Sequence, residues 1–124
     1  MQDGKPVILS VDDDADIRLY IKTVLESAGY VSVEAATAEE GLKVYKQSRP
    51  DAVIVDLMME EVDSGTTLVK ELRALGSTPP IFMLSSTGDN LSRIIDTTSL
   101  GLAGVFQKPL DSEVLLPLLR AKLQ

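Results

Sequence analysis

The chain lacks cysteine and histidine altogether. Without cysteine it has no disulfide framework, no thiol nucleophile and no thiolate metal site. Without histidine it has no imidazole base or imidazole metal ligand, and any phosphohistidine that reacts with it must belong to another molecule. No apolar run approaches the ~20 residues that a membrane span requires, and residues 1–6 do not follow the pattern of a signal peptide. We therefore expect a cytoplasmic protein.

Positive charge is also scarce. The 124 residues carry 12 Lys and Arg against 19 Asp and Glu, a formal charge of −7. This balance argues against a nucleic-acid-binding surface, which needs a basic stripe to neutralise phosphates, and against an anionic membrane surface. A chain of this length suits one domain, and no linker divides it. We expect a single domain over residues 1–124, with an ordered core at about 5–123.

Short apolar runs alternate with helix-like stretches along the chain. The runs predict strands at residues 7–11, 31–35, 52–55, 81–84 and 104–106. The stretches between and after them predict helices at residues 14–28, 37–48, about 66–75, 90–100 and about 111–123. Five strands alternating with five helices predict a three-layer α/β fold, with helices on both faces of a parallel sheet.

Local residue choices refine these boundaries. Asp14 is typical of a helix cap, and Thr37 followed three residues later by Glu40 predicts a capping box. Pro117 conflicts with the last helix, because proline removes a backbone donor from a helix interior. We expect that helix either to start late, near Leu116, or to kink, with an irregular first turn.

Two apolar runs end on aspartate. The first is followed by Asp12, Asp13 and Asp14, and the third by Asp56. In a parallel sheet both strand ends lie at the same edge, where ligands bind at the point of strand-order reversal. Carboxylates repel one another, so this cluster predicts a hard cation, Mg²⁺ or Mn²⁺. Plain capping of the next helix is the alternative interpretation, and we prefer it for Asp14.

Polar groups also follow the fourth and fifth predicted strands, namely Ser85 and Lys108. A carboxylate can serve as a nucleophile and form an aspartyl phosphate. Phosphoryl transfer requires positioning and charge neutralisation, which a metal ion, an ammonium group and a hydroxyl donor would together supply. Local backbone bonding for Ser85 and a solvated surface position for Lys108 are the plainer alternatives.

The chain resembles the receiver domain of bacterial two-component response regulators over nearly its whole length. The matching segments, in order, are Val11-Asp12-Asp13-Asp14, Val53-Ile54-Val55-Asp56-Leu57-Met58-Met59, Pro80-Ile81-Phe82-Met83-Leu84-Ser85-Ser86 and Lys108-Pro109-Leu110. The resemblance implies a flavodoxin-like (βα)5 fold with a five-stranded parallel sheet of order 2-1-3-4-5.

The resemblance also implies roles for individual residues. Asp56 is the phosphoacceptor, and Asp12, Asp13, Asp56 and the backbone carbonyl of Met58 hold Mg²⁺, with Mn²⁺ as a possible substitute. Ser85 turns its hydroxyl toward the phosphoryl group, and Lys108 contacts a phosphoryl oxygen. The domain would promote only its own phosphorylation and dephosphorylation, and would not be an enzyme for an external substrate.

The implied partners are proteins. A histidine kinase or a histidine phosphotransfer protein would donate the phosphoryl group, and an unknown output protein would recognise the switched state. The fourth predicted helix, the fifth strand and the fifth helix would form the switching face, through which a homodimer is also possible. Because no effector domain follows Gln124, we expect output through a partner, or a chain that is part of a longer regulator or hybrid kinase.

Two positions depart from the family pattern. Glu60 follows Met59 where the family often has proline, and Val105 occupies the usual position of an aromatic switch residue. The aromatic side chain is one residue later, at Phe106, and one step along a strand reverses the facing. We therefore expect Phe106 in the core and a phosphorylation-site loop of distinct shape.

Three other functions remain open. A phosphorylation-incompetent pseudo-receiver would act as an interaction module only. An aspartyl-phosphate phosphatase usually carries a second aspartate two residues after its nucleophile, where this chain has Met58. A flavin carrier of the same fold would need a phosphate-binding loop after the first strand, where Asp12-Asp13-Asp14 has the wrong charge.

Overall fold

The computed structural model describes residues 4–56, 64–76, 79–85, 103–107 and 111–123. Five strands lie within these ranges, and each corresponds to one of the predicted apolar runs. They are β1 (Val7–Val11), β2 (Val31–Ala35), β3 (Ala52–Asp56), β4 (Ile81–Ser85) and β5 (Gly104–Gln107). β-branched and aromatic residues favour extended structure on a buried surface, which explains why these runs are strands.

Four helices are described. They are α1 (Ala15–Ser27), α2 (Ala38–Ser48), α3 (Ser64–Ala74) and the C-terminal helix (Ser112–Leu123). The predicted helix at 90–100 lies outside the described residues. Helix α3 begins two residues before its predicted start. None of the helices in the described ranges is both long enough and apolar enough to cross a membrane.

The five strands form one sheet in the order β2-β1-β3-β4-β5, and all four neighbouring pairs are parallel. The order reverses between β1 and β3, because β2 lies on one side of β1 and the later strands lie on the other. The prediction of a flavodoxin-like α/β fold with a parallel sheet is confirmed. The carboxyl ends of β1 and β3 therefore flank the point where such sheets bind ligands.

Successive residues of the central strands face opposite sides of the sheet and build two separate cores. Leu9 packs in the cluster with Leu68 and Leu72 of α3. Ile8, its neighbour in β1, packs in the second cluster with side chains of α1 and the C-terminal helix. Both faces of β1 and β3 are fully buried, as expected for parallel strands covered on both sides.

The outer strand β2 is only half-buried along most of its length, as its alternating sequence predicts. Its last residue, Ala35, is buried. The edge position of β2 brings its carboxyl end beside the end of β1, where the backbone nitrogen of Asp12 donates to the carbonyl of Ala35 at 3.1 Å.

The helix caps follow the predicted chemistry. The Asp14 carboxylate accepts from the backbone nitrogens of Asp16 and Ile17 at the start of α1. The Thr37 hydroxyl accepts from the backbone nitrogen of Glu40 at 3.1 Å at the start of α2. Each bond satisfies one of the orphan amide groups that every helix leaves at its N-terminus.

The last helix has close to its predicted range of about 111–123, and of the two outcomes expected from Pro117 the late start near Leu116 is wrong. That helix begins at Ser112, and Pro117 lies inside it. The Asp111 carboxylate caps the helix by accepting from the nitrogen of Glu113 at 2.9 Å. Leu115 and Leu119 are fully buried one turn apart. A proline costs ~3 kcal/mol in an exposed helix interior, because its nitrogen cannot donate a hydrogen bond. The burial of Leu115 and Leu119, together with the Asp111 cap, outweighs this cost at Pro117.

Phe106 lies in the core, as the facing of β5 predicts. Its ring is 3% exposed and stacks on Phe82 of β4 with ring centroids 5.4 Å apart. The two strands are adjacent, with Leu84 paired to Phe106 and Phe82 paired to Gly104. The aromatic pair therefore joins the edge strand β5 to the centre of the sheet on the face covered by α1 and the C-terminal helix.

Candidate functional site

Three carboxylates converge at the carboxyl edge of the sheet. Val11 pairs with Val55 across β1 and β3, so the residues that follow, Asp12 and Asp56, come side by side. Asp13 continues from Asp12, and one carboxylate oxygen from each of the three lies within 4.8 Å of the others. The parallel register explains why Asp12 lies beside Asp56, because it brings residues 44 positions apart in the chain to the same level of the sheet.

The three carboxylates differ in their access to water. Asp12 is 0% exposed and Asp56 is 2% exposed, whereas Asp13 is exposed. Burial of a carboxylate is unfavourable unless it is paired, hydrogen-bonded or bound to a metal. The cluster thus has a buried floor made by two side chains and an open side made by the third, which is the arrangement a site needs to admit a ligand from solvent.

Three polar groups of Asp12 bond to other parts of the chain. Its backbone nitrogen donates to Ala35 of β2. Its carboxylate Oδ1 accepts from the backbone nitrogen of Asp14 at 2.9 Å. Its carbonyl oxygen accepts from Nη1 of Arg18 at 2.7 Å. These contacts come from β2, the turn and α1, so the position of Asp12 depends on three separate parts of the fold.

Arg18 links the turn to β2. In addition to its bond with the Asp12 carbonyl, its Nε lies 3.5 Å from Oε1 of Glu34. The sequence analysis did not identify this link, because it depends on the β1–β2 pairing that sets Glu34 opposite Ser10. The spacing of Arg18 four residues after the Asp14 cap was the one local signal, since it places the two on the same side of α1.

Asp14 lies outside the carboxylate cluster. Its side chain is the N-cap of α1 and points to the first turn of that helix. The interpretation of Asp14 as a cap is confirmed, and the run of three aspartates divides into two residues of the cluster and one of the helix. An aspartate at this position also interacts favourably with the positive end of the helix dipole.

The geometry of the cluster fits a small hard cation. An octahedral ion with bonds of about 2.1 Å holds its ligand oxygens about 3.0 Å apart when adjacent and about 4.2 Å apart when opposite. The oxygens of Asp12, Asp13 and Asp56 lie within 4.8 Å of one another, which is close enough for side-chain adjustment to bring all three to one ion. All three donors are anionic oxygens, the type that Mg²⁺ and Mn²⁺ prefer.

The remaining predicted site residues are placed only in part. Ser85 ends β4, and its Cα pairs with that of Gln107 at the carboxyl end of β5. The register Asp56 to Leu84 puts the backbone of Ser85 one residue beyond Asp56 at the same sheet edge. The side chains of Ser85 and Val105, and the whole of Met58, Glu60 and Lys108, lie outside the described residues.

Comparison with known sequences identifies a family for the chain. The profile of the response regulator receiver domain matches residues 8–120 of the chain. A probable transcriptional regulator ycf27 of Guillardia theta is 38% identical over 120 residues, which are 97% of this chain and 46% of that protein. The chemotaxis protein CheY of Bacillus subtilis (strain 168) is 34% identical over 110 residues, 88% of this chain and 90% of that protein.

The matches differ in how much of the relative they cover. The chain spans about half the length of the ycf27 proteins of Guillardia theta, Porphyridium aerugineum and Cyanophora paradoxa, at 46%, 49% and 51%. The matched part of those regulators is therefore one domain of a longer protein. The CheY match instead covers nearly the whole relative.

Solved structures have the same fold. Chemotaxis protein CheY4 of Vibrio cholerae superposes with a TM-score of 0.86 at 31% identity, covering 97% of this chain and all of that one. A CheY-like receiver domain protein of Methanospirillum hungatei JF-1 gives a TM-score of 0.87 at 28% identity, covering 97% of this chain and 94% of that one. With a carboxylate cluster at the sheet edge and a family match over residues 8–120, the chain belongs to the response regulator receiver domain family.

Proposed function

We propose that this chain accepts a phosphoryl group from a partner phosphohistidine onto Asp56, in a Mg²⁺-dependent reaction that switches its contacts with other proteins. The observation that carries the proposal is the convergence of Asp12, Asp13 and Asp56 within 4.8 Å, two of them buried. A purely structural role does not require two buried carboxylates beside a third at one edge of the sheet.

Electrostatics supports a cation at this cluster. Two unit charges 4–5 Å apart repel by several kcal/mol at the effective dielectric constant of ~20 that applies near a protein surface. The chain as a whole is acidic, with a formal charge of −7, so its overall field adds to the repulsion. A divalent cation bound by Asp12, Asp13, Asp56 and the backbone carbonyl of Met58 would turn this repulsion into attraction.

The proposed step is a nucleophilic displacement at phosphorus. A carboxylate oxygen of Asp56 forms a bond to phosphorus while the bond from phosphorus to the imidazole nitrogen of the partner breaks. The electron pair of that bond stays on the nitrogen, which takes up a proton, and Asp56 becomes an acyl phosphate. A later attack by water restores the carboxylate and releases inorganic phosphate.

Several groups would neutralise and orient the transferring phosphoryl group. A bound Mg²⁺ supplies positive charge to the phosphoryl oxygens. Lys108 would add an ammonium contact and Ser85 a hydroxyl donor, each from the end of a neighbouring strand. The burial of Asp56 limits the water around the nucleophile, so the charges of this site act in a medium of low dielectric constant.

The output would be a change in protein contacts. Phosphorylation would shift an equilibrium between two states of the face formed by the predicted helix at 90–100, β5 and the C-terminal helix. An output protein, or a second copy of the chain, would bind that face. We place this reaction in the cytoplasm, with one receiver domain over residues 1–124, and with a histidine kinase or histidine phosphotransfer protein as the donor.

The test uses the purified chain with Mg²⁺ and a small phosphodonor such as acetyl phosphate. Intact-mass spectrometry should show the gain of one phosphoryl group in the wild type and none in Asp56→Asn. Asp14→Asn is the matched control, because it removes the same charge next to the cluster while asparagine still serves as a helix cap. Omission of Mg²⁺ should abolish uptake.

The outcomes separate the candidate functions. A wild-type chain that takes up no phosphate with Mg²⁺ present would identify a pseudo-receiver. Equal uptake by wild type and Asp56→Asn would contradict the assignment of the phosphoacceptor. Sustained turnover of an external phosphoester would instead indicate a phosphatase.

A further inference from the structure

We propose that Arg18 is a positioning residue for the carboxylate cluster, and that cation affinity depends on its simultaneous contacts with the turn after β1 and with Glu34. This inference rests on the proposed cation site. It adds a residue of α1 and a residue of β2 to a site whose carboxylates come from β1 and β3.

Arg18 contacts the backbone between two of the three carboxylate residues. Nη1 of Arg18 donates to the carbonyl oxygen of Asp12 at 2.7 Å. That carbonyl belongs to the peptide group that joins Asp12 to Asp13, so its orientation is one of the two factors, with the φ angle of Asp13, that set the direction of the Asp13 side chain. One hydrogen bond from Arg18 therefore constrains both carboxylates, on either side of a planar peptide unit.

Arg18 is itself held by a backbone bond and by an ion pair. Its backbone nitrogen donates to the carbonyl of Asp14 at 3.1 Å, which places it in the first turns of α1. Its Nε lies 3.5 Å from the Glu34 carboxylate, and the two side chains are only 20% and 33% exposed. The planar guanidinium is rigid and presents donors in fixed directions, so Glu34 on one side orients the donor that reaches Asp12 on the other.

Strand β2 supports two peptide groups of the turn after β1. This strand supports Asp12 directly, because the Ala35 carbonyl accepts from the Asp12 nitrogen. It supports the next peptide group indirectly, through Glu34 and Arg18. The turn is therefore held at two successive peptide groups by two successive residues of one strand. Partners outside the ligands of a metal commonly set ligand orientation in this way.

A purely electrostatic role makes a different prediction. A positive charge near the cluster would stabilise the carboxylates without a cation and would compete with a bound cation. Under that alternative, lysine at position 18 should behave like arginine, and a neutral residue should increase cation affinity. Under the positioning role, both replacements lose the two-sided contact, and both should weaken binding.

The experiment measures Mn²⁺ and Mg²⁺ binding to the full chain by isothermal titration calorimetry, for wild type, Arg18→Lys, Arg18→Met and Glu34→Gln. We expect both Arg18 variants to bind at least about 10-fold more weakly, within the range that loss of an orienting partner causes. Glu34→Gln should weaken binding in the same direction, since it leaves Arg18 in place without its anionic anchor. Lys22→Met, which removes a positive charge one turn further along α1, should leave affinity within about twofold of wild type.

Two further readouts separate positioning from a general loss of stability. Urea denaturation of each variant gives its free energy of unfolding, and binding is compared only below the unfolding transition. Amide chemical shifts of residues 12–14 in the cation-free state should change in Arg18→Lys if the turn is released. Affinity of Arg18→Lys equal to wild type, or tighter binding by Arg18→Met, would overturn the proposal.

Failure of this inference differs from failure of the proposed function. If the wild type binds Mn²⁺ and takes up phosphate while the Arg18 variants match it, only the positioning role is wrong. If the wild type binds neither Mn²⁺ nor Mg²⁺, the cation site is wrong and the positioning role falls with it.

Discussion

A carboxylate oxygen of Asp51, Oδ2, accepts a 2.7 Å hydrogen bond from the backbone nitrogen of Val7. The backbone nitrogen of Asp51 in turn donates to the carbonyl of Val7 at 2.7 Å. This reciprocal contact joins the amino-terminal ends of β1 and β3, at the opposite edge of the sheet from the carboxylate cluster. Asp51 thus stabilises the fold at one edge of the sheet, whereas Asp12, Asp13 and Asp56 form the candidate site at the other edge.

Loss of the Asp51 carboxylate should destabilise the fold without changing the site. Asp51→Ala leaves the buried Val7 amide without its acceptor, and we expect the free energy of unfolding to fall by about 1–3 kcal/mol. Asp51→Asn retains an acceptor oxygen and should lose less. Urea denaturation of the two variants measures the difference, and equal stabilities for Asp51→Ala and wild type would contradict this role.

Phe106 should behave as a core residue. Phe106→Ala removes the stacked partner of Phe82 and should lower the free energy of unfolding by about 3–5 kcal/mol. Val114→Ala is the matched control on the C-terminal helix, since Val114 is 55% exposed and its truncation should change stability by about 0.5 kcal/mol or less. A small effect of Phe106→Ala in thermal or urea unfolding would show that the ring is not held in the core.

Ser10 presents a buried hydroxyl on the central strand β1. Its Oγ is fully buried and has no hydrogen-bond partner among the residues that the structure describes. Burial of an unpaired hydroxyl costs about 1–3 kcal/mol, so Ser10→Ala should be neutral or should raise the free energy of unfolding. The control is Ser27→Ala, which removes an exposed hydroxyl that donates to the Val24 carbonyl. A clear loss of stability in Ser10→Ala but not in Ser27→Ala would contradict the expectation and would indicate an internal water bound to Ser10.

Removal of one carboxylate should change stability in opposite directions with and without Mg²⁺. Without the cation, Asp13→Asn relieves repulsion with Asp12 and Asp56 and should raise the melting temperature. With Mg²⁺ at 100 times its dissociation constant, the wild type should gain about 2.7 kcal/mol, and Asp13→Asn should gain much less. Thermal unfolding with and without Mg²⁺ shows whether the order of the two melting temperatures reverses. An equal rise in melting temperature for both proteins on adding Mg²⁺ would contradict a cation shared by the three carboxylates.

The sequence predicted the fold because each element carries its own local signal. The strands are β-branched runs, α1 and α2 have Asp14 and Thr37 as caps, and the facing of Phe106 follows from a period of two. The continuity of the C-terminal helix through Pro117 was not predictable from such signals. Pro117 argues locally against a helix, and only the burial of Leu115 and Leu119 against the sheet shows that tertiary packing compensates for it.

The acidic residues of the candidate site were predictable from the sequence, but the residues that hold them in position were not. Aspartates at strand ends converge in any parallel sheet of this order, so the cluster of Asp12, Asp13 and Asp56 follows from strand assignment alone. The contacts of Arg18 with the Asp12 carbonyl and with Glu34 depend on the register of β1 and β2. A sequence does not state that register directly, so these two residues could be identified only from the three-dimensional arrangement.

The pairing of Val11 with Val55 has a consequence for the newly made chain. Every strand contact in this sheet is parallel and joins segments that are well separated along the chain, so folding is slower than in a helical bundle of equal length. The carboxylate cluster does not exist until β1 and β3 have paired. A partly folded chain would carry the three aspartates as ordinary solvated acids, and phosphoryl uptake would therefore report the concentration of folded molecules in a refolding experiment.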